Sequence, residues 1–348
     1  MTARSSTSAW PFVLAVAIVL VAPLAWQVIL AAFGPDASGS PSYLPALERT
    51  RVRRPFDTGV VPGLQRLDPG FVVIGDSMAG RVHFDRLRDL TGERVAPILQ
   101  NATGSAYWYL TFKNHVVPSG IKPKWTLVFF RDTNLTDPMF RLSGAYRQTL
   151  DEVALDREDE LNRIVGARAS GPWYTIHGLV DRVYGAERAR AWLEPHVVNW
   201  PARAVAGAGR APALLTRINE AFSLDRLRPM AQADLEAAAD RDADFGVNAH
   251  ASVLPAFVAL ARERGLRVCF IRVLRRPVDA APPPESAALR RYVADLRAYL
   301  AARGAYFLDD RDDPRLLSIQ YEDGDHIKRE ETGRYTELLV ERLAQLVR

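Results

Sequence analysis

The residues whose types could do chemistry together are a serine near the start of the apolar patterning and an acid and a histidine near the end of the chain. Ser77 lies in "FVVIGDSMAG", residues 71–80, where four apolar residues stop at Gly75-Asp76-Ser77. A serine at the point where a buried strand gives way to a helix has backbone N–H groups and a favourable helix dipole around it. Both would stabilise the negative charge that develops when a hydroxyl attacks a carbonyl. The same position suits an ordinary helix N-cap.

A serine nucleophile needs a base, and the histidines are His83, His115, His177, His196, His250 and His326. Only His326 has a suggestive setting, in "YEDGDHIKREETGRYTELLVERL". There a Gly-containing acidic loop leads into a last amphipathic helix carrying Tyr335, Leu338, Leu339 and Leu346. Asp323 precedes the histidine by a spacing that one loop turn can close, so that its carboxylate orients the imidazole as in a serine triad. Asp325 is adjacent to the histidine and would point away. Two other readings fit the same residues. One is a solvated acidic loop with an incidental histidine; the other is a metal held by Asp323, Asp325 and His326, for which no further ligand is evident.

The elements that must position these residues follow from the apolar runs. "GFVVIG" is a short continuous run of the kind a parallel sheet buries on both faces, and Val82, Leu87 and Leu90 after it fit one side of a helix. "WTLVFF" (125–130) and "LRVCFIRVL" (266–274) are further strands. The stretches "SVLPAFVALARERG" and "SAALRRYVADLRAYLAARG" are helices ended by Gly265 and Gly304, the second leading into the short strand "AYFLDD". Strands alternating with helices predict an α/β domain with a mainly parallel sheet over residues 69–348. Between about 140 and 248 the strands disappear and Trp173, Trp192 and Trp200 fall among Ala- and Arg-rich stretches. This predicts a helical insertion.

Composition narrows the function classes. The 45 Lys and Arg nearly balance 41 Asp and Glu, so the net charge of +4 makes no case for nucleic acid. The single cysteine, Cys269, excludes an intramolecular disulfide and a Cys-based metal site. Nothing names a cofactor, and a serine triad requires none. After a tail of residues 1–9, an uncharged run from Trp10 to Phe33 is long enough as a helix to cross a hydrocarbon core of about 30 Å. It is longer than the apolar region of about 7 to 15 residues in a cleaved signal peptide, which predicts an uncleaved anchor. Residues 34–68, rich in Gly, Pro and Ser, read as a tether. By positive charge alone, Arg49, Arg51, Arg53 and Arg54 against Arg4 would place the globular part on the cytoplasmic side.

A strand-terminal Gly75-Asp76-Ser77 at the start of the domain and Asp323-Gly-Asp-His326 at its end resemble the SGNH hydrolases, the GDSL esterase and lipase superfamily. The resemblance runs from about residue 70 to the C-terminus. It implies a flavodoxin-like three-layer α/β sandwich in which Ser77 attacks an acyl carbonyl, His326 takes its proton and Asp323 holds the imidazole. It also implies an oxyanion hole made of the Ser77 and Gly104 N–H groups with the Asn134 side chain. Asn101 and Arg131 are possible supporting residues, and Asp76 orders the turn. The family commonly has a glycine two residues before that asparagine, where this chain has Asp132.

With an anchor and a tether, the resemblance implies a single-pass inner or plasma membrane protein with an extracytoplasmic, periplasmic catalytic domain. Its expected activity is O-acetyl (acyl) transfer to, or removal from, a cell-envelope polysaccharide, with a membrane-bound O-acyltransferase as a partner. The contrasting expectations are a non-catalytic envelope subunit that binds glycan or an assembly partner, and a lipase acting on membrane lipid.

Overall fold

In the computed structural model, β1 (Phe71–Gly75) is buried along its whole length and is flanked on both sides by parallel neighbours. The structure describes residues 56–142, 149–155, 158–168, 243–277, 281–323 and 325–347, with Val21. Apart from Val21, these all belong to one unit, formed by residues 54–168 with 226–348. The expected tail, the span at 10–33 apart from Val21, most of the tether, the three tryptophans and most of the expected insertion lie outside them. Among the described residues no helix is long and apolar enough to cross a membrane.

β1 pairs with β2 (Val95–Leu99) on one side and β3 (Trp125–Phe130) on the other; β4 (Val268–Arg272) and β5 (Tyr306–Asp309) continue the parallel sheet. The order β2-β1-β3-β4-β5 is that of a flavodoxin-like doubly wound sheet, with its switch point between β1 and β3. β3 and β4 are fully buried runs, as their sequences predict. β2 was not apparent from the sequence. It is a half-exposed edge strand and contains Pro97, a residue that cannot donate to a ladder and is therefore confined to edges.

Side chains alternate across the strands, so the sheet needs cover on both faces. On one face Val73, Leu127, Phe129 and Ile271 pack with Leu87 of α2 (Phe84–Thr91) and with Tyr335, Leu339 and Leu343 of α8 (Thr332–Gln345). On the other, Phe270 meets Phe257 of α6 (Leu254–Glu263), which stacks on Phe112 beyond the end of α3 (Ser105–Thr111); α4 (Asp159–Arg168) and α5 (Phe245–His250) lie between these two helices in the chain. Phe307 of β5 lies under Arg297 of α7 (Ala287–Ala301) on that side. Gly265 and Gly304 follow α6 and α7 with φ of 62° and 74°, the left-handed region that lets a chain leave a helix.

Two elements differ from the sequence reading. Val60–Leu67, within the stretch read as tether, is α1, with Leu64 buried. Pro62 is tolerated there because first-turn N–H groups have no intrahelical partner. The helix expected directly after Ser77 is broken in two. A single 3-10 turn spans Ser77–Arg81, and α2 begins only at Phe84, where the His83 ring accepts the Arg86 N–H.

Candidate active site

Gly75 ends β1 because the next turn folds tightly back over it. A Cβ there would stand 2.8 Å from Ala79 Cβ and 3.3 Å from Phe129 Cβ. Asp76 then caps the turn, Oδ1 accepting the Met78 N–H at 2.9 Å while its carbonyl accepts the Ala79 N–H at 3.0 Å. The cap role that Ser77 could have filled thus belongs to Asp76, and the Ser77 hydroxyl is left for another partner. That partner is His326, whose Nε2 lies 2.9 Å from Ser77 Oγ. Burial pushes the Asp76 carboxyl above the usual carboxylate range, against the opposing pull of the Met78 N–H and of Arg141, Arg131 and His326.

His326 opens β7 (His326–Ile327), which pairs antiparallel with β6 (Tyr321–Asp323) in a separate two-stranded sheet. The backbone of Asp323 is the cross-strand partner of His326. Asp325, between them, is buried. Its Oδ2 accepts from Arg131 Nη1 at 2.6 Å and its Oδ1 from the Arg276 N–H at 3.1 Å. Arg131 is therefore committed to holding the hairpin against the end of β3. These two residues illustrate what the sequence could not show: an ion pair between positions so far apart leaves no local signature.

The loops after β2 and β3 flank the Ser77 turn, since their strands flank β1. Gly104 precedes α3 in extended backbone, pressed against the loop after β3, and a Cβ on it would stand 2.7 Å from the Phe140 carbonyl oxygen. Among the described residues, the N–H groups of Ser77 and Gly104 and the Asn134 side chain have no hydrogen-bond partner. Asn101 is exposed at the start of the same loop as Gly104. Asn134 opens a short turn, its own N–H bonded to the Arg131 carbonyl at 3.0 Å.

Asp132 explains how this chain departs from the glycine pattern. It has φ of 47°, a left-handed conformation natural to glycine and tolerated by aspartate. Its carboxylate is held by Arg275, with Nε at 2.8 Å, and by Arg272 Nη2 at 3.3 Å. Side-chain ion pairs thus support a backbone conformation that glycine would adopt without them.

Beneath the site lies a buried polar cluster. Asp310 accepts from Arg81 Nη1 at 3.1 Å, the Tyr335 hydroxyl at 2.9 Å and Arg342 Nη1 at 2.7 Å. Desolvation holds the Tyr335 phenol neutral, well above its ordinary value. No group of three or more His, Cys, Asp or Glu side chains that could hold a metal occurs among the described residues.

No family model matches the chain, and no curated protein matches it. A solved structure from Bacteroides fragilis, provisionally assigned as an acylhydrolase, superposes over 80% of this chain and 88% of its own. It is similar at a TM-score of 0.36 with 11% identity. At that level the likeness carries no argument about this chain.

Proposed function

We propose that this chain is an SGNH-type serine acyl-transfer enzyme, and the observation that carries the reading is the 2.9 Å contact between Ser77 Oγ and His326 Nε2. The position of Ser77 beside the sheet's switch point, where doubly wound folds bind ligands, also supports it. In the proposed reaction Ser77 Oγ attacks an ester carbonyl and its proton passes to His326 Nε2. Asp323 orients the imidazole, while the Ser77 and Gly104 N–H groups and Asn134 stabilise the oxyanion. Collapse expels the alcohol, which takes the proton back from His326 and leaves an acyl-Ser77 ester. Water or a sugar hydroxyl, deprotonated by the same histidine, then accepts the acyl group.

We further propose that the acyl groups are O-acetyl or related groups on a cell-envelope polysaccharide, with transfer favoured over hydrolysis. The domain would sit outside the cytoplasm on a single-span anchor at 10–33 and receive acyl groups from a membrane-bound O-acyltransferase. This part of the reading rests on the family resemblance and the apolar N-terminal run.

The test is the intact mass of the full chain, extracted in mild detergent, after exposure to a fluorophosphonate. One adduct is expected in the parent, absent in Ser77→Ala and much reduced in His326→Ala. No adduct, where a control esterase labels, would sink the enzyme reading in favour of a binding subunit. Acyl transfer from a simple acetyl ester to a glycan acceptor would separate transferase from esterase.

A further inference from the structure

The Ser77 turn and the His326 hairpin share no backbone ladder, because β1 and β7 belong to different sheets. Something other than the sheet must fix the distance between the hydroxyl and the imidazole. We propose that Arg81 is the positioning residue that holds the Ser77 turn and the His326 hairpin in register. The inference rests on the reading of Ser77 and His326 as the reacting pair.

The guanidinium reaches three places at once. Nε donates to the Met78 carbonyl at 3.1 Å, inside the Ser77 turn itself. Nη2 donates to the carbonyl of Asp325, the residue before His326, at 3.1 Å. Nη1 is anchored on Asp310 at 3.1 Å, just beyond the end of β5. The side chain is 2% exposed and its guanidinium lies over the Tyr335 ring at 5.4 Å. A planar fork with donors in fixed directions transmits position in a way a single ammonium cannot. Arg131 ties the hairpin to the end of β3 instead, and its hydrogen bond to Asp325 does not reach the Ser77 turn.

The structure also supplies a matched control. Arg342 donates to the other oxygen of Asp310 at 2.7 Å and to the Asp309 carbonyl at 2.7 Å, and its hydrogen bonds go to neither reacting segment. Without the Arg81 fork, Asp310 keeps Tyr335 and Arg342 as partners.

The full chain is compared as parent, Arg81→Lys, Arg81→Gln and Arg342→Lys, with two readouts. The first is the fluorophosphonate labelling rate at Ser77 per folded molecule; the second is hydrogen exchange over residues 321–327. Both Arg81 variants are expected to label at least tenfold more slowly and to exchange faster in the hairpin. Arg342→Lys should label within about twofold of the parent and leave hairpin exchange unchanged. Equal losses in Arg81 and Arg342 variants, or parent-like behaviour of the Arg81 variants, would overturn the proposal. Using two Arg81 variants keeps the comparison in place if one does not fold. Should the parent itself not label, the serine reading fails, and hairpin exchange alone still decides whether Arg81 is the clamp.

Discussion

Ser77 and His326 are separated by 249 positions in the chain and by 2.9 Å between Oγ and Nε2. The contact forms although the serine lies on a turn after the parallel sheet and the histidine on a hairpin outside it. If the imidazole is the base, His326→Gln should lower the acyl-transfer rate by about 10²- to 10⁴-fold, the usual contribution of a positioned base. His326 is exposed, so the thermal midpoint should hardly move. A variant that keeps parental turnover while folding normally would exclude the histidine from the reaction.

Gly104→Ala places a methyl group against the Phe140 carbonyl oxygen and ring, and backbone can relieve that only by shifting. The N–H assigned to the oxyanion would move with it. Loss of one such donor costs about 2.7 to 4 kcal/mol in the transition state, a fall of roughly 10² to 10³ in kcat. Steady-state kinetics should show the loss in kcat, with KM little changed. An equal kcat in the variant would remove Gly104 from the hole.

Asp132→Ala withdraws the shared partner of Arg272 and Arg275 and leaves a side chain poorly suited to φ of 47°. Arg272 keeps Glu285 and Asp309, so the cost is nearer that of lost charge-assisted hydrogen bonds, about 1.5 to 3 kcal/mol. Denaturant unfolding should show a loss of that order. Asp132→Gly, which suits the backbone while losing the same ion pairs, should be less destabilising than Asp132→Ala. The reverse ranking would show that the left-handed conformation does not matter there.

His115 is 1% exposed, packs on the Phe56 ring at 4.9 Å, and among the described residues neither of its ring nitrogens has a hydrogen-bond partner. Desolvation lowers its folded-state pKa below the ordinary value of 6.5, with Asp57 opposing. The unfolded chain therefore binds the proton more readily. This contribution to stability is complete above about pH 6.5 and is lost as pH falls from there towards the folded value, by at most about 1.4 kcal/mol per pH unit. His115→Phe keeps the ring contact and removes the proton site. Its stability should fall less steeply than the parent's between pH 7 and 5, as read by urea midpoints; parallel curves would exclude His115 as the cause.

The runs "FVVIG", "WTLVFF" and "VCFIR" announced β1, β3 and β4 because a strand covered on both faces must be almost entirely apolar. β2 hid behind Pro97 and a mixed exposure pattern, since an edge strand is freed from both demands. The sequence placed a helix directly after Ser77; apolar spacing does not reveal that Asp76 caps a short turn first and that His83 begins the real helix. The serine and histidine were legible as types in strand-end and loop settings. Arg81, Asp310 and the true partner of Asp325 were not, because they act between segments whose proximity only the folded chain creates. Asp132 reads in sequence as a departure from a glycine pattern, whereas its backbone keeps the glycine-like turn.

The distance along the chain between Ser77 and His326 also orders events in time. Synthesis runs from the N-terminus, so the serine is made, and β1 can begin to pair, long before the hairpin bearing the histidine exists. Until the C-terminal segment docks, with Thr336 Oγ1 of α8 accepting the His83 N–H at 2.8 Å, the hydroxyl has no imidazole beside it. On the proposed reading, a growing or C-terminally clipped chain would carry a serine without its base, and reactivity would arise only once the C-terminal hairpin is in place.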